Sequence, residues 1–320
     1  MNILMSRTKK IFYNTAVFIF VVSLIFSAPL AQAQEASAEE MFEMLQQIHQ
    51  RADQLLAAEF IDPNTLRPQR DYAKRLPRHV YHKARDVGKM LNDLTLLHQL
   101  PTPNLPDYKA QTLTLSDVKN LVVTIKERVD VLADYFKLEP QSVANTESVR
   151  SLRIVTSTDV YKSLAHLQAK LIAIGAPLPK PNDVFRIAEN IFGDIQTIAR
   201  MQGKPETASV PEVRQNITPK ATYSLAYDLL LDMKTLLKGK ADNFVTGGIV
   251  PPHMPAIKDP SSPDVLDLLI NIQAEIHNLR SSYGAAFNNS HQQIEKFTGK
   301  TPQDVYRTLF MTQSLLWQFN

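Results

Sequence analysis

The 320-residue chain carries eight histidines, ten tyrosines and no cysteine, and these counts bound its chemistry. Without Cys it has no disulfide, thiolate metal site, Cys nucleophile, covalent haem or lipidated N-terminal Cys. His79 and His82 stand three apart, on one face of a helical turn, where they could chelate a metal ion together with His49 from a neighbouring helix. Two histidines are not a ligand set by themselves, and the equivalent positions later in the chain are Ala221, Ser224 and Phe192. Solvated or capping histidines are the simpler reading, so His49, His79 and His82 stay weak candidates and no metal is assigned. Non-covalent haem between His166 and Met44 or Met90, or between His277 and Met311, is the other cofactor these residue types allow. Met at helical spacing is ordinarily flexible core filler, so no cofactor is expected. Gly247-Gly248 lacks the Lys-Ser/Thr of a phosphate loop, and neither a Gly-x-Ser-x-Gly elbow nor a His-Glu-x-x-His helix occurs. No catalytic residue is assigned, and an enzyme is the least expected class.

Two other groups could contact a ligand or partner. Tyr161 and Gln168, repeated as Tyr306 and Gln313, lie seven residues apart on a face shared with Leu164 and Leu171. A hydroxyl and an amide buried side by side need partners, either each other and their neighbours or a small ligand. The Pro-rich stretches around Leu105 and Tyr108, and around Ile249, Val250, Met254 and Ile257, carry apolar residues on stiffened loops. They suit a protein or peptide partner, since pre-ordered loops lose less entropy on binding, or else they cap the ends of a bundle.

The elements that must position these residues begin after residue 33. Arg7, Lys9 and Lys10, an apolar run from Ala16 to Phe26, and Ala31-Gln32-Ala33 read as a signal peptide over 1–33, cleaved after Ala33. The run is shorter than the roughly 20 apolar residues of a spanning helix, so no stable membrane insertion is expected after cleavage. Its removal leaves 32 basic against 32 acidic residues, a balance that offers no polyanion-binding signature and argues against nucleic acid. A periplasmic or secreted location, and a partner in the bacterial cell envelope, are expected.

Thr156-Ser-Thr-Asp-Val-Tyr-Lys-Ser-Leu164 matches Thr301-Pro-Gln-Asp-Val-Tyr-Arg-Thr-Leu309. Tyr81, Ala84, Asp86 and Leu94 fall on Tyr223, Ala226, Asp228 and Leu236, while Asp117, Val118, Leu121, Ile125 and Leu132 fall on Asp264, Val265, Leu268, Ile272 and Leu279. With Phe42 and Ile48 on Phe185 and Ile191, four segments recur in one order at nearly one spacing, the signature of a tandem duplication. All eight have helical periodicity, and Thr114, Thr156 and Thr301 each precede an Asp by three residues, a short capping box. The expected fold is all-α, with helices near 37–58, 78–98, 114–137, 157–174, 182–202, 219–238, 263–280 and 302–318. They form two four-helix bundles, over 34–176 and 177–320, each expected to run up-down-up-down. Matched residues are mainly apolar or cap-forming, so the chain reads as an exported, non-catalytic binding or scaffolding module. The alternative is a small-ligand, metal or haem-binding bundle.

Overall fold

Helix starts are written in carboxylates. Asp117, Asp159, Asp183, Asp264 and Asp304 each accept a hydrogen bond from the backbone N–H three residues earlier, at 2.7 to 3.0 Å. Ser37 Oγ accepts from the Glu40 N–H at 3.0 Å, and His79 Nδ1 accepts from the Leu76 N–H at 3.0 Å. Each cap satisfies an N–H at the helix start, and the carboxylates among them set a negative group against the positive helix end.

The computed structural model describes residues 37–66, 71–102, 104–106, 113–139, 154–210, 216–236, 248–249, 251, 257, 259–282 and 297–319. Eight α-helices and no strand occur among them: α1 Ala38–Ala58, α2 Pro77–Leu97, α3 Leu115–Tyr135, α4 Ser157–Ile174, α5 Pro181–Met201, α6 Pro219–Leu236, α7 Ser262–Ser282 and α8 Pro302–Leu316. Every boundary lies within two residues of the expectation from periodicity and caps. No helix among the described residues is long and apolar enough to cross a membrane.

The described residues belong to one compact unit holding two apolar cores, one from Met41 to Ala176 and one from Val184 to Leu316. Around the first, α1 and α2 each pack on both α3 and α4; around the second, α5 and α6 each pack on both α7 and α8. The pairs α1 with α2 and α3 with α4 therefore sit on diagonals, while α2 and α3 pack side by side.

Their directions differ from the up-down-up-down expectation. Glu40 near the start of α1 pairs with Lys119 near the start of α3, and Arg51 further along α1 lies 3.6 Å from Asp130 further along α3. His49 and Asp53 meet Ser163 and Lys170 in order along α4. The Arg75 N–H before α2 donates to Thr158, and Lys83 donates to Gln168. The same order holds for α5 and α8 through Asn182 with Lys300 and Glu189 with Thr308. First-turn residues of α5, α6, α7 and α8, Val184, Thr222, Val265 and Val305, meet at one end of the second core. All four helices of each half thus run the same way. This is why the connections are long: each must return the length of a 21-residue helix, about 31 Å. It also explains the capping carboxylates, because parallel packing gathers four positive helix ends at one face of each half.

Gly88 is the close approach within α2. Leu105 folds back over it, so that a Cβ there would stand 2.7 Å from Leu105 Cδ2, and Arg128 donates to the Gly88 carbonyl at 2.9 Å.

Candidate functional site

Helix α7 joins the two halves. It packs on α5 and α6 in its own half and on α2 of the other, and α2 and α7 run in opposite directions, His79 meeting Glu275 and Lys83 meeting Asp267. Enclosed from both sides, α7 buries Asn271, Gln273, Glu275, His277, Asn278 and Arg280 along with its apolar residues. Buried polar groups require partners, and α2 supplies many of them.

At one end of this seam Glu275, with no exposed surface, receives Arg78 Nε at 2.9 Å and His79 Nε2 at 2.8 Å. Because His79 Nδ1 already accepts from the Leu76 N–H, its proton sits on Nε2 and the ring acts as a neutral donor. Burial lowers the His79 pKa, and the Glu275 carboxylate opposes that only in part. His82 is buried edge-on to His277, ring centroids 5.2 Å apart, and burial, with His277 next in weight, holds it well below the ordinary histidine value.

Further along, a directed chain of hydrogen bonds crosses the seam. Asn271 Nδ2 donates to the Tyr161 hydroxyl at 3.3 Å, and Tyr161 donates to Asp267 Oδ1 at 3.2 Å. Lys83 Nζ donates to that same oxygen at 2.8 Å and to Gln168 Oε1 at 2.6 Å, and Gln168 Nε2 donates to Asp86 Oδ2 at 2.7 Å. Burial works against the Lys83 charge, but Asp267 foremost, then Tyr161 and Asp86, raises its pKa above the ordinary value. Burial alone would raise Asp267, yet the Lys83 ammonium brings it below its usual range. Tyr161 is pushed up by burial and then by Asp267. Asp86 is pushed up by burial, against the pull of Lys83.

This chain forms the floor of a cavity of about 450 Å³, lined by Lys83 and Asp86 of α2, Gln168 of α4 and Asp267 of α7. Its walls are mainly apolar: Ile61, Leu66 and Tyr72 after α1, Ile172 on α4, Leu178 in the link to α5, and Leu266 on α7. The volume is that of a small-molecule pocket, and the layout, apolar walls with a few converging polar groups, is the usual one for such sites. At the offset that aligns Tyr81 with Tyr223, Lys83 falls on Leu225, so the lysine of this site is not repeated there.

The sequence candidates divide between this site and the cores. Gln168 lines the pocket, and Tyr161 lies behind it in the bonded chain. Their counterparts lie elsewhere: Gln313 donates to Asp232 at 2.5 Å and Tyr306 packs half-buried on the second core. His49, His79 and His82 are not brought together. His49 faces Ser163 and His166 on α4, whereas His79 and His82 face α7. No group of three or more metal-ligating side chains occurs among the described residues. Leu105 packs on the first core and Ile257 on the second, and Ile249 is buried. Tyr108, Val250 and Met254 lie outside the described residues.

Sequence reasoning missed Lys83, Asp86 and Asp267. For Lys83 and Asp267 the signal was charge complementarity: α2 carries Arg78, Lys83, Arg85 and Lys89 against Asp86 and Asp93, whereas α7 before Arg280 carries only Asp264, Asp267 and Glu275. Comparisons with protein-family models, with curated proteins and with solved structures found no match.

Proposed function

We propose that this protein is a non-catalytic binding protein whose ligand is a small molecule held in the pocket between α2, α4 and α7. The observation that carries this reading is the joining of apolar walls to an ordered ionic floor in a cavity of about 450 Å³. The floor groups support binding over catalysis. A nucleophilic lysine needs a lowered pKa, and that of Lys83 is raised; Tyr161 is likewise held protonated. A scaffolding role through the Pro-rich loops draws less support, because Leu105, Ile249 and Ile257 are spent on the cores.

The same proposal includes a tandem origin for the halves, supported by the matched segments, the two cores and the one packing order around each. It also includes export with cleavage after Ala33, resting on the basic, apolar and Ala-x-Ala pattern of residues 1–33. N-terminal sequencing of the protein recovered outside the cytoplasm should begin at Gln34, and recovery with Met1 would refute cleavage.

Binding is tested with a neutral apolar dye such as Nile red. Wild type should bind it one to one, and Ala169→Leu, which fills the pocket from α4, should weaken binding at least tenfold. Equal binding by a folded Ala169→Leu variant would place the dye elsewhere and defeat the reading.

A further inference from the structure

The pocket floor carries more negative charge than positive. Among the described residues Lys83 is the single buried cation lining it, against Asp86 and Asp267. Lys162 lies at the rim, within 3.5 Å of exposed Asp71, and Arg75 lies over the rings of Tyr72 and Tyr161 without lining the cavity. His166 also lines the wall, and burial, with Lys170 second, lowers its pKa and keeps it neutral. Asp264 is engaged at the start of α7, where it accepts the Ser261 N–H and hydroxyl.

The hydrogen bonds of the floor have a direction. Asn271, Tyr161, Lys83 and Gln168 all donate toward the carboxylates, and those donations end on Asp267 Oδ1 and Asp86 Oδ2. Asp267 Oδ2 and Asp86 Oδ1 are left as acceptors. An anionic guest would meet two carboxylates and a lysine already shared between Asp267 and Gln168. A guest bringing positive charge and several N–H donors meets two free oxygens in surroundings where charge-assisted bonds are strong.

Building on the small-molecule reading above, we infer that the ligand is a primary ammonium bearing an apolar tail, its head between Asp86 and Asp267 and its tail against Ile61, Leu66, Ile172 and Leu266.

The test uses three eight-carbon probes, n-octylamine, octanoate and 1-octanol, titrated calorimetrically into the full protein at pH 7.5. Octylamine should bind one to one and at least tenfold more tightly than the other two. Asp86→Asn, which keeps an oxygen to accept from Gln168, should erase that advantage. Octanoate binding as tightly as octylamine, or an octylamine affinity untouched by Asp86→Asn, overturns the ammonium assignment; if Ala169→Leu still blocks binding, the pocket reading survives. Failure of all three probes and the dye to bind wild type removes the pocket reading, and this inference with it.

Discussion

His49 should make the fold sensitive to mild acid. Its Nε2–H donates to the Ser163 carbonyl and Oγ at 3.1 and 3.0 Å, and its Nδ1 is sealed from solvent with no hydrogen-bond partner. Protonation would put an N–H on that sealed nitrogen with nothing to receive it. Burial first, then the Lys170 ammonium and His166, lower its pKa from 6.5 to about 4. An unfolded chain takes up this proton near pH 6.5, whereas the folded one refuses it until about pH 4. Stability is therefore fully present above the unfolded value and is lost as pH falls through that window, at about 1.4 kcal/mol per pH unit. At pH 5.0 the loss from this residue is about 2 kcal/mol. His49→Gln keeps a donor for Ser163 and cannot titrate. Urea melts at pH 7.5 and 5.0 should show wild type losing about 2 kcal/mol more than His49→Gln across that interval, the other histidines cancelling in the comparison. Equal losses, or a His49 resonance titrating near 6.5, would refute the reasoning.

Other substitutions separate core, seam and backbone. Leu164→Ala and Leu309→Ala, each removing a fully buried side chain, should cost roughly 2 to 5 kcal/mol in denaturant melts, against about 1 kcal/mol for the N-cap change Thr301→Ala. Neutral leucine substitutions would place that face outside the cores. Glu275→Ala removes the buried carboxylate that receives Arg78 and His79 and should cost about 3 to 5 kcal/mol; a loss below 1 kcal/mol would mean water reaches the pair. Phe60 ends α1 at φ 56° with its side chain 97% exposed, so Phe60→Gly relieves a left-handed conformation at no packing loss. It should raise stability by about 1 kcal/mol, and destabilisation would show that the ring is held by contacts in solution.

Helix ends were the most legible feature of this chain, because they depend on neighbours in sequence. Thr156 with Asp159 and Thr301 with Asp304 announce their caps in four residues, and Pro77, Pro181, Pro219 and Pro302 mark first turns. The repeated Leu164 and Leu309 were legible as core for the same reason. Helix direction was not, since a 3.6-residue period names an apolar face without naming what covers it. The site was least legible. Glu275 and Asp267 on α7 carry the same sequence signature as solvated charges, and only the approach of α2 turns them into buried partners of His79, Arg78 and Lys83. Gln168 was singled out as one of a polar pair, yet its partner proved to be Asp86 on another helix rather than Tyr161 on its own.

The common direction of the helices in each half has a consequence for how the chain assembles. No two packed helices of a half start fewer than 38 residues apart, the separation of α2 and α3. An antiparallel hairpin can zip from its turn; here every pairing must first close a long loop, an entropic cost that comes before any contact rewards it. Folding should accordingly be slower than that of helical bundles with local contacts. The order of synthesis sharpens this. Residues up to 176 include all of the first core, but Asp267, which pairs with Lys83, and Glu275, which receives Arg78 and His79, lie about 90 and 100 residues further on. At roughly 5–20 residues per second, the first half waits on the order of 5–20 s with the charged face of α2 uncovered. In that interval the residues of α2 that α7 will pair, Arg78, His79 and Lys83, lack those partners.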